Sequence, residues 1–394
     1  MVSIMFHSIG LENYQWRSKY ISEPIELMND KLNQINKEGY KSLFMHEAHE
    51  KRFSKKDNLI HLNYDDGYLD NWVHLFPLLK KNNLKATIFV TSDFIDRRDI
   101  KRRQNSSIYH HKKGAESCCA GFLSFPEMKE MERSGLVEIQ AHAKTHTWYF
   151  KGSKIVDFWH PGAATKVGGP IWMLWNKFPE LKPFYLTKAS ELEKEIPYGT
   201  PIYEHGKSLE TLRYFPNDDE VNIKLIEKAS SSNFFNQRDW REQLLEVVDK
   251  NQNVTKERFE NRQEFRDRIK EELQVSKQII EEGLGHEING ICWPGGGIQE
   301  EVVTVAKEVG YKYFTLPSKW KKAPNDLFKA MIPRVGPLSK LAFHGKLLGD
   351  PSKTDFSNYL KISNGHKNYK IKFFILRFLK YLKHELSLIF NKSL

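Results

Sequence analysis

Short apolar runs alternate with amphipathic segments along much of this 394-residue chain, and that alternation limits the fold more than any other feature. Strands separated by helices in sequence build parallel sheets or barrels rather than antiparallel ones. The predicted strands are residues 2–7, 59–64, 86–90, 136–140, 288–293, 311–315 and 329–334, and the predicted helices between them are 69–81, a segment opening at Ser124, and 299–309. The pattern predicts an α/β fold whose strand C-terminal ends share one face, which is where such folds place their chemistry.

The alternation of predicted strands and helices stops for well over a hundred residues in the middle of the chain. From 148 to 253 the sequence carries aromatic residues, proline-rich turns and several predicted helices, and a charged helix over 255–282 closes this stretch before Gly283 and Gly285. A stretch of this length between two βα regions is typical of an inserted lid or subdomain.

Two motifs at predicted strand ends carry the chemistry. One strand runs into Asp65, Asp66 and Gly67, and a later one delivers His142 and His146 in a His-x-x-x-His spacing. Two imidazoles and one carboxylate leave a zinc ion an open position for water, and a further carboxylate nearby can act as a general base. Asp65 and Asp66 point to opposite faces of an extended chain, so Asp65 is not a second ligand unless the turn bends. Taken singly, the first motif is also typical of a turn and the second of a solvated helix surface.

The pair of motifs resembles the polysaccharide deacetylase family, carbohydrate esterase family four. In that family a Thr-Phe-Asp-Asp-Gly turn supplies the base and then a metal ligand; here it reads Asn63-Tyr64-Asp65-Asp66-Gly67. The resemblance implies Asp65 as base, Asp66, His142 and His146 as ligands of a divalent ion with zinc as the default, and a deformed (β/α) barrel with a large, mostly helical insertion. The implied organisation is a first barrel segment at 1–147, an insertion at 148–286, the rest of the barrel at 287–340, and a basic amphipathic tail at 341–394.

Two departures from the family pattern concern the residues around the base. The family's Arg-x-Pro-x-Gly motif reads Cys292-Trp293-Pro294-Gly295-Gly296, so its arginine is missing; Arg334, at a later strand end, is the candidate replacement, with a structural ion pair as the alternative. The family's C-terminal Leu-x-His is not evident. A permuted arrangement would place it on the first strand, so His7 is the candidate general acid, with His205 and His344 as rivals.

The resemblance implies hydrolysis of an N-acetyl or N-formyl group on an amino sugar, with a metal-bound water as nucleophile, in the biosynthesis of a surface polysaccharide. Aromatic and charged residues near the motifs and in the insertion suit a sugar cleft, although core packing of the inserted subdomain is the preferred explanation of the aromatic ones. The candidate substrate contacts are Tyr68, Trp148, Trp293, Pro294, Gly295, His205 and Arg213.

The distribution of charge and the composition of the chain limit the classes of binding partner. The net charge is +11, but residues 367–394 hold seven basic residues against one acidic residue, a net +6, which argues against nucleic acid as partner of the rest of the chain. Over 370–390 apolar residues recur at helical spacing opposite basic ones, which suits an anionic membrane surface or docking on the protein.

Three cysteines and no visible secretory signal favour a cytoplasmic protein, peripheral on the inner membrane face if the tail binds lipid. The amino sugar could then be lipid-linked or nucleotide-linked.

Two other functions stay open at this point. The displaced arginine and missing histidine would also fit a carbohydrate-binding protein that has lost its activity, and the same barrel could hydrolyse an amide that is not on a sugar.

Overall fold

The computed structural model describes residues 1–11, 21–104, 119–163, 176, 178–184, 194–216, 219–231, 233–251, 258–317 and 325–390. Its strands are β1 Val2–Phe6, β2 Ser8–Ile9, β3 Ser22–Glu23, β4 Lys41–Ser42, β5 Leu59–Tyr64, β6 Ala86–Val90, β7 Val137–Ala141, β8 Trp148–Phe158, β9 Pro201–Lys207, β10 Tyr214–Phe215, β11 Arg258–Phe259, β12 Gly290–Ile291, β13 Tyr313–Leu316, β14 Ile332–Pro333, β15 Leu341–Phe343 and β16 Lys346–Gly349. Its α-helices are α1 Ile25–Lys37, α2 Met45–Glu50, α3 Phe76–Asn82, α4 Phe125–Arg133, α5 Asp219–Ala229, α6 Trp240–Lys250, α7 Arg262–Leu284, α8 Glu300–Val309, α9 Asp326–Lys329, α10 Lys353–Ser363 and α11 Tyr369–Phe390.

The central sheet is parallel and nearly closed, as the sequence pattern predicts. Its strands run in the order β1, β5, β6, β7, β12, β13, β14, and β4 pairs with the start of β5. Backbone bonds from Met5 to Val335 (3.0 Å) and from Val335 to Ser3 (2.8 Å) join the chain just after β14 back to β1. The sheet therefore closes into a barrel, and its strand C-terminal ends meet at one rim.

Alternate residues of the strands face opposite environments. Ile4, Leu62, Ile88 and Ile139 are fully buried in the main hydrophobic cluster together with apolar residues of the surrounding helices. Between them lie the buried polar side chains of Ser3, His61, Asn63 and Thr87, together with the apolar Met5 and Phe89. The barrel thus has an apolar outer layer under the helices, and an interior in which hydrogen-bonded polar side chains lie beside apolar ones.

Local signals explain several element ends. Ser124 caps α4 in a capping box with Glu127, as predicted from these residue types. The charged helix begins later than predicted, because Asn261 and Glu264 form the capping box of α7; the predicted start at 255 lies outside the described residues. Gly283 does not end this helix. A Cβ at Gly283 would lie 1.9 Å from the ring of Phe125, so glycine allows the helix to approach α4, and the helix ends before Gly285 at φ +86°.

Beyond the predicted helices, the region between the two barrel segments contains an antiparallel pair of strands. β8 begins two residues after His146 and pairs with β9 from Trp148 opposite Lys207 to Phe158 opposite Pro201. Helices α5 and α6 pack against Phe158 in a separate apolar cluster. The β8–β9 pair therefore begins next to the rim of the barrel that carries the His142 and His146 motif.

The predicted amphipathic tail is the helix α11, which follows the β15–β16 hairpin and α10. No helix among the described residues is long and apolar enough to cross a membrane.

Candidate active site

The Asp-Asp-Gly turn and the histidine loop meet at the rim of the barrel. The Nε2 atoms of His142 and His146 both lie 3.2 Å from Oδ1 of Asp66. One side-chain atom from each of these three residues falls within 4.8 Å of the others. Among the described residues, Oδ1 of Asp66 is buried and has no polar contact other than these two imidazoles, an arrangement that is costly unless a cation or a proton compensates for it. Two imidazoles and one carboxylate converging on one point fit a divalent ion in a hydrolytic site.

The electrostatics of this cluster favour an ionised Asp66. Burial alone would raise the pKa of this carboxyl, but the charge of His146 and the close contacts with His142 and His146 hold it well below its usual range. Burial lowers the pKa of His146, and the neighbouring Asp66 more than offsets this, so that the pKa is raised.

Backbone geometry aims the ligands. Asp66 adopts φ +79°, which turns the chain sharply after the strand, and Gly67 follows at φ +74°, where a Cβ would lie 2.8 Å from Val90. The turn therefore bends, so the extended-chain rule does not fix the direction of Asp65. The Nδ1–H of His142 donates to the carbonyl of Cys292 at 2.9 Å, which leaves Nε2 as the acceptor atom facing Asp66.

A carboxylate from the long helix α7 holds the histidine loop. Glu272 is buried, and its Oε1 accepts hydrogen bonds from the backbone N–H groups of Lys144 (3.2 Å) and Thr145 (2.7 Å) and from the Thr145 hydroxyl (2.8 Å). The loop contains two left-handed non-glycine residues, Ala143 and His146, a conformation that surrounding contacts must maintain. Sequence reasoning missed Glu272, because it lies 127 residues from Thr145.

Asp65 lies beside the triad and is paired with Arg334. Nη1 of Arg334 donates to both carboxylate oxygens of Asp65, at 2.7 and 2.9 Å, and to Oδ1 of Asn63 at 2.9 Å. Both partners of the ion pair are almost fully buried. Burial would raise the pKa of Asp65, but Arg334, followed by His142 and His7, lowers it below its usual value. The arginine absent from the Pro294 turn is thus replaced in space by Arg334.

Asn63 belongs to a chain of hydrogen bonds through the barrel interior. Its Nδ2 donates to the Ser3 hydroxyl at 3.0 Å, and that hydroxyl lies 3.0 Å from Nδ1 of His61. Nε2 of His61 lies 3.0 Å from the hydroxyl of Thr87. Burial, then the charge of Arg334, lowers the pKa of His61 to about 3, so this histidine is neutral at ordinary pH. No motif in the sequence indicated this network.

Of the three candidate acids, His7 is the one beside Asp65. Its Nε2 lies 4.0 Å from Oδ2 of Asp65, and its side chain is partly exposed. His205 lies on β9 with its ring edge-on to Trp148, at 5.4 Å between ring centroids. His344 lies at the turn between β15 and β16, where its ring packs against Phe343.

Cys292 also contacts Asp65. Its Sγ lies 3.5 Å from Oδ2 of Asp65 and is fully buried. Burial raises the pKa of this thiol well above its usual value, so the group stays protonated and is unsuited to act as a nucleophile.

The predicted substrate contacts divide into accessible and inaccessible side chains. Trp293 is 1% exposed, stacks on Phe314 and donates its indole N–H to the carbonyl of Thr315, so its ring is part of the core rather than of a cleft. Tyr68 and Pro294 are likewise buried. The remaining candidates are at least partly accessible: Trp148, His205, Arg213 and Gly295.

A cavity of about 540 Å³ opens next to the histidine loop. Its lining includes Lys144, Thr145, Tyr149, Arg213 and Glu272. The guanidinium of Arg213 lies 4.8 Å from the ring of Tyr149 and 4.6 Å from that of Phe215.

Comparison with known families agrees with this site. The model of the polysaccharide deacetylase family matches residues 53–160 and 239–314. These segments contain Asp65, Asp66, His142 and His146, and the gap between them falls inside the predicted insertion. The two segments match the polysaccharide deacetylase family over just under half of the chain. The resemblance predicted from the two motifs is thereby confirmed, whereas His7 and Arg334 lie outside the matched segments.

A relative of this chain is the Bacillus subtilis (strain 168) protein named "Putative polysaccharide deacetylase YxkH", 29% identical over 148 residues. The alignment covers 36% of this chain and 42% of the relative, so the chain spans less than half the length of the relative it matches.

Two solved structures resemble this chain at low identity. A de-N-acetylase from Aggregatibacter actinomycetemcomitans has 14% identity and a TM-score of 0.49, covering 85% of this chain and 93% of that one. The BpsB deacetylase domain from Bordetella bronchiseptica has 16% identity and a TM-score of 0.47, covering 85% and 95%. The family assignment rests on the sequence match and not on these two likenesses.

Proposed function

We propose that this protein is a metal-dependent hydrolase that removes an N-acetyl or N-formyl group from an amino sugar during the assembly of a surface polysaccharide. The observation that carries the proposal is the convergence of Asp66, His142 and His146 beside an Asp65 that is buried, ionised and paired. A bound divalent ion, with zinc as the default, would supply Lewis-acid activation of water and of the acyl carbonyl.

The chain's own residues have distinct roles in this reaction. Asp65 accepts the proton of the attacking water, and its lowered pKa keeps it ionised and available at neutral pH. Arg334 fixes the orientation of the Asp65 carboxylate through two hydrogen bonds. His7, next to Asp65 and partly open to solvent, donates a proton to the departing amine of the sugar.

The cavity beside the histidine loop supports a substrate that also carries an anionic group. Among the described residues, the guanidinium of Arg213 contacts aromatic rings and has no carboxylate partner. A cation between two aromatic faces suits a phosphate next to a sugar ring, as in a lipid-linked or nucleotide-linked amino sugar. Trp148 and His205, whose ring centroids lie 5.4 Å apart on β8 and β9, are further candidate substrate contacts. A cytoplasmic location, at the inner membrane face, fits such a substrate.

The test combines metal analysis with release of acetate or formate. Purified protein should hold about one divalent ion per chain and release acetate from an N-acetylhexosamine conjugate. Asp65→Asn should abolish release while metal content stays near wild type, and His142→Ala should lose metal and activity together. Loss of metal from Asp65→Asn would refute the assignment of the base.

The same assays separate the two alternatives. Wild type that binds metal and sugar but releases nothing would indicate a carbohydrate-binding protein. The binding-protein alternative was motivated by the displaced arginine and the missing C-terminal histidine, and of these two residues the arginine has a counterpart in Arg334, which contacts Asp65 directly. Release from amides without a sugar, at equal or higher kcat/KM, would indicate an amidase of another substrate class.

A further inference from the structure

The helix α11 is fixed to the rest of the protein along one side. Phe373 of the helix is buried, and the ring of Phe343 in the β15–β16 hairpin lies 5.3 Å from that of Phe374 in the helix. Lys380 pairs with the buried Asp355 of α10, and Lys346 pairs with Glu385 at 2.7 Å. These contacts fix which side of the helix faces away from the protein.

The side that faces away is apolar. Large apolar residues recur there every three or four positions, so they form one stripe along the helix. Each is between 39% and 68% exposed, far above the value for a core residue. The stripe consists of Ile371, Ile375, Phe378, Leu379, Leu382 and Leu386. At its edge, the ring of Phe378 lies 6.1 Å from that of Phe343 in the hairpin, and the described residues leave the stripe as a whole exposed. Scattered single exposed apolar residues would be ordinary, whereas a continuous stripe is not.

The charge around the stripe indicates which kind of surface can bind it. Lys372 and Lys383 are exposed and follow the stripe at adjacent helical positions, while the one acidic residue of the helix, Glu385, is neutralised by Lys346. The segment 367–394 carries a net +6. Two copies of such a helix placed face to face would repel one another, whereas an anionic surface would be attracted to both the charge and the apolar stripe.

We propose that the outward stripe of α11, with Lys372 and Lys383 beside it, is a docking surface for the anionic face of a lipid bilayer. The helix lies along the bilayer surface because its other side is held by the hairpin. The apolar side chains enter the boundary between headgroups and acyl chains, and the lysines contact the headgroups. This inference does not depend on the reaction that the barrel catalyses.

The test is flotation of the full chain with vesicles of phosphatidylcholine alone and of phosphatidylcholine with about one-third phosphatidylglycerol, at low and high salt. Wild type should float with the anionic vesicles, and less so at high salt. The double variant Ile375→Glu and Leu382→Glu should lose at least about tenfold in partitioning. Replacing both Lys372 and Lys383 by Gln should also reduce partitioning by about tenfold or more.

A matched control carries the same added charge elsewhere. Phe53 and Ile223 are exposed apolar residues on other parts of the protein, so Phe53→Glu with Ile223→Glu should float as wild type does. All substituted side chains are exposed, so far-UV circular dichroism and the thermal midpoint should be unchanged, and deacetylation of a water-soluble substrate should stay at the wild-type rate.

Three results would overturn the proposal. One is the absence of wild-type flotation with anionic vesicles. Another is equal flotation of wild type and the double variant at Ile375 and Leu382. The third is a wild-type dimer, detected by light scattering, that this double variant converts to monomer; the stripe would then bind a second copy of the chain.

Discussion

Replacing Arg334 by Met tests whether this residue tunes the base or merely holds the barrel together. Met keeps an unbranched stem of similar reach but removes the guanidinium that donates to both oxygens of Asp65 and to Asn63. A neighbouring arginine lowers the pKa of an aspartate by about 1–3 units, so its loss should raise the pKa of Asp65 by about that amount. Each unit corresponds to about 1.4 kcal/mol, which gives roughly 1.4–4 kcal/mol of lost preference for the ionised base.

The sign of the effect on the pH profile follows directly. In wild type the pKa of Asp65 is below its usual value, so activity that depends on the ionised base is lost only at low pH. In Arg334→Met the pKa rises, so the acidic limb of the profile of kcat/KM should move to higher pH by about 1–3 units. A bound divalent ion acts on Asp65 in both proteins, so the difference between their profiles isolates the arginine.

The assay is kcat/KM for acetate release between pH 5 and about 9, with metal content measured at each pH. Arg334→Lys is the matched control, because it keeps a positive charge but not the planar fork; its acidic limb should move less than that of Arg334→Met. Removing one partner of a buried ion pair costs about 3–5 kcal/mol, so the thermal midpoint should fall in Arg334→Met.

One outcome would refute the reasoning about Arg334. If kcat/KM of folded, metal-loaded Arg334→Met falls by the same factor at every pH, the arginine does not set the ionisation of Asp65. It would then be a structural residue of the barrel.

Two further predictions concern buried carboxyl groups away from the base. Glu272→Gln should weaken metal binding by about tenfold, because it removes a charged acceptor from the Thr145 backbone; a chelator competition titration measures this, and the exposed Glu271→Gln should bind as wild type. Burial raises the pKa of Asp70 to about 7, so wild type should lose up to about 4 kcal/mol of stability between pH 4 and pH 8. Asp70→Asn should not show this loss. The free energy of unfolding of both proteins is measured in urea at each pH, and a difference between them that does not change with pH would contradict the prediction.

The sequence predicted those parts of the site that depend on local signals. The turn at Asp66 and Gly67 needs a left-handed backbone, for which Asp and Gly are suited, and the two histidines follow the next strand but one. Because parallel strands end at one rim, the meeting of the two motifs could be predicted without knowing any distance. The three proposed ligands therefore lie together as the motifs implied.

The residues that support the site could not be predicted in this way. Arg334 lies 269 residues from Asp65, and Glu272 lies 127 residues from the loop it holds, so neither contact leaves a local pattern. Strand β8 was missed for a related reason. Its buried and exposed residues do not alternate regularly, so it has no strand-like sequence pattern, and its partner β9 follows only after residues 159–200. The capping box of Asn261 and Glu264 was a local signal that would have corrected the predicted start of the long helix.

Closure of the barrel explains how a displaced arginine still reaches the base. Arg334 directly follows β14, and Val335 pairs with Ile4 of β1, which in turn pairs with β5, the strand that leads into Asp65. Only one strand therefore separates the arginine from the base. The amide of Asn63 is held by Ser3 of that intervening strand through Nδ2, which leaves Oδ1 to accept from Arg334. The same contacts that close the sheet thus deliver the guanidinium to Asp65, so that a substitution opening the barrel between β14 and β1 should impair catalysis as well as stability.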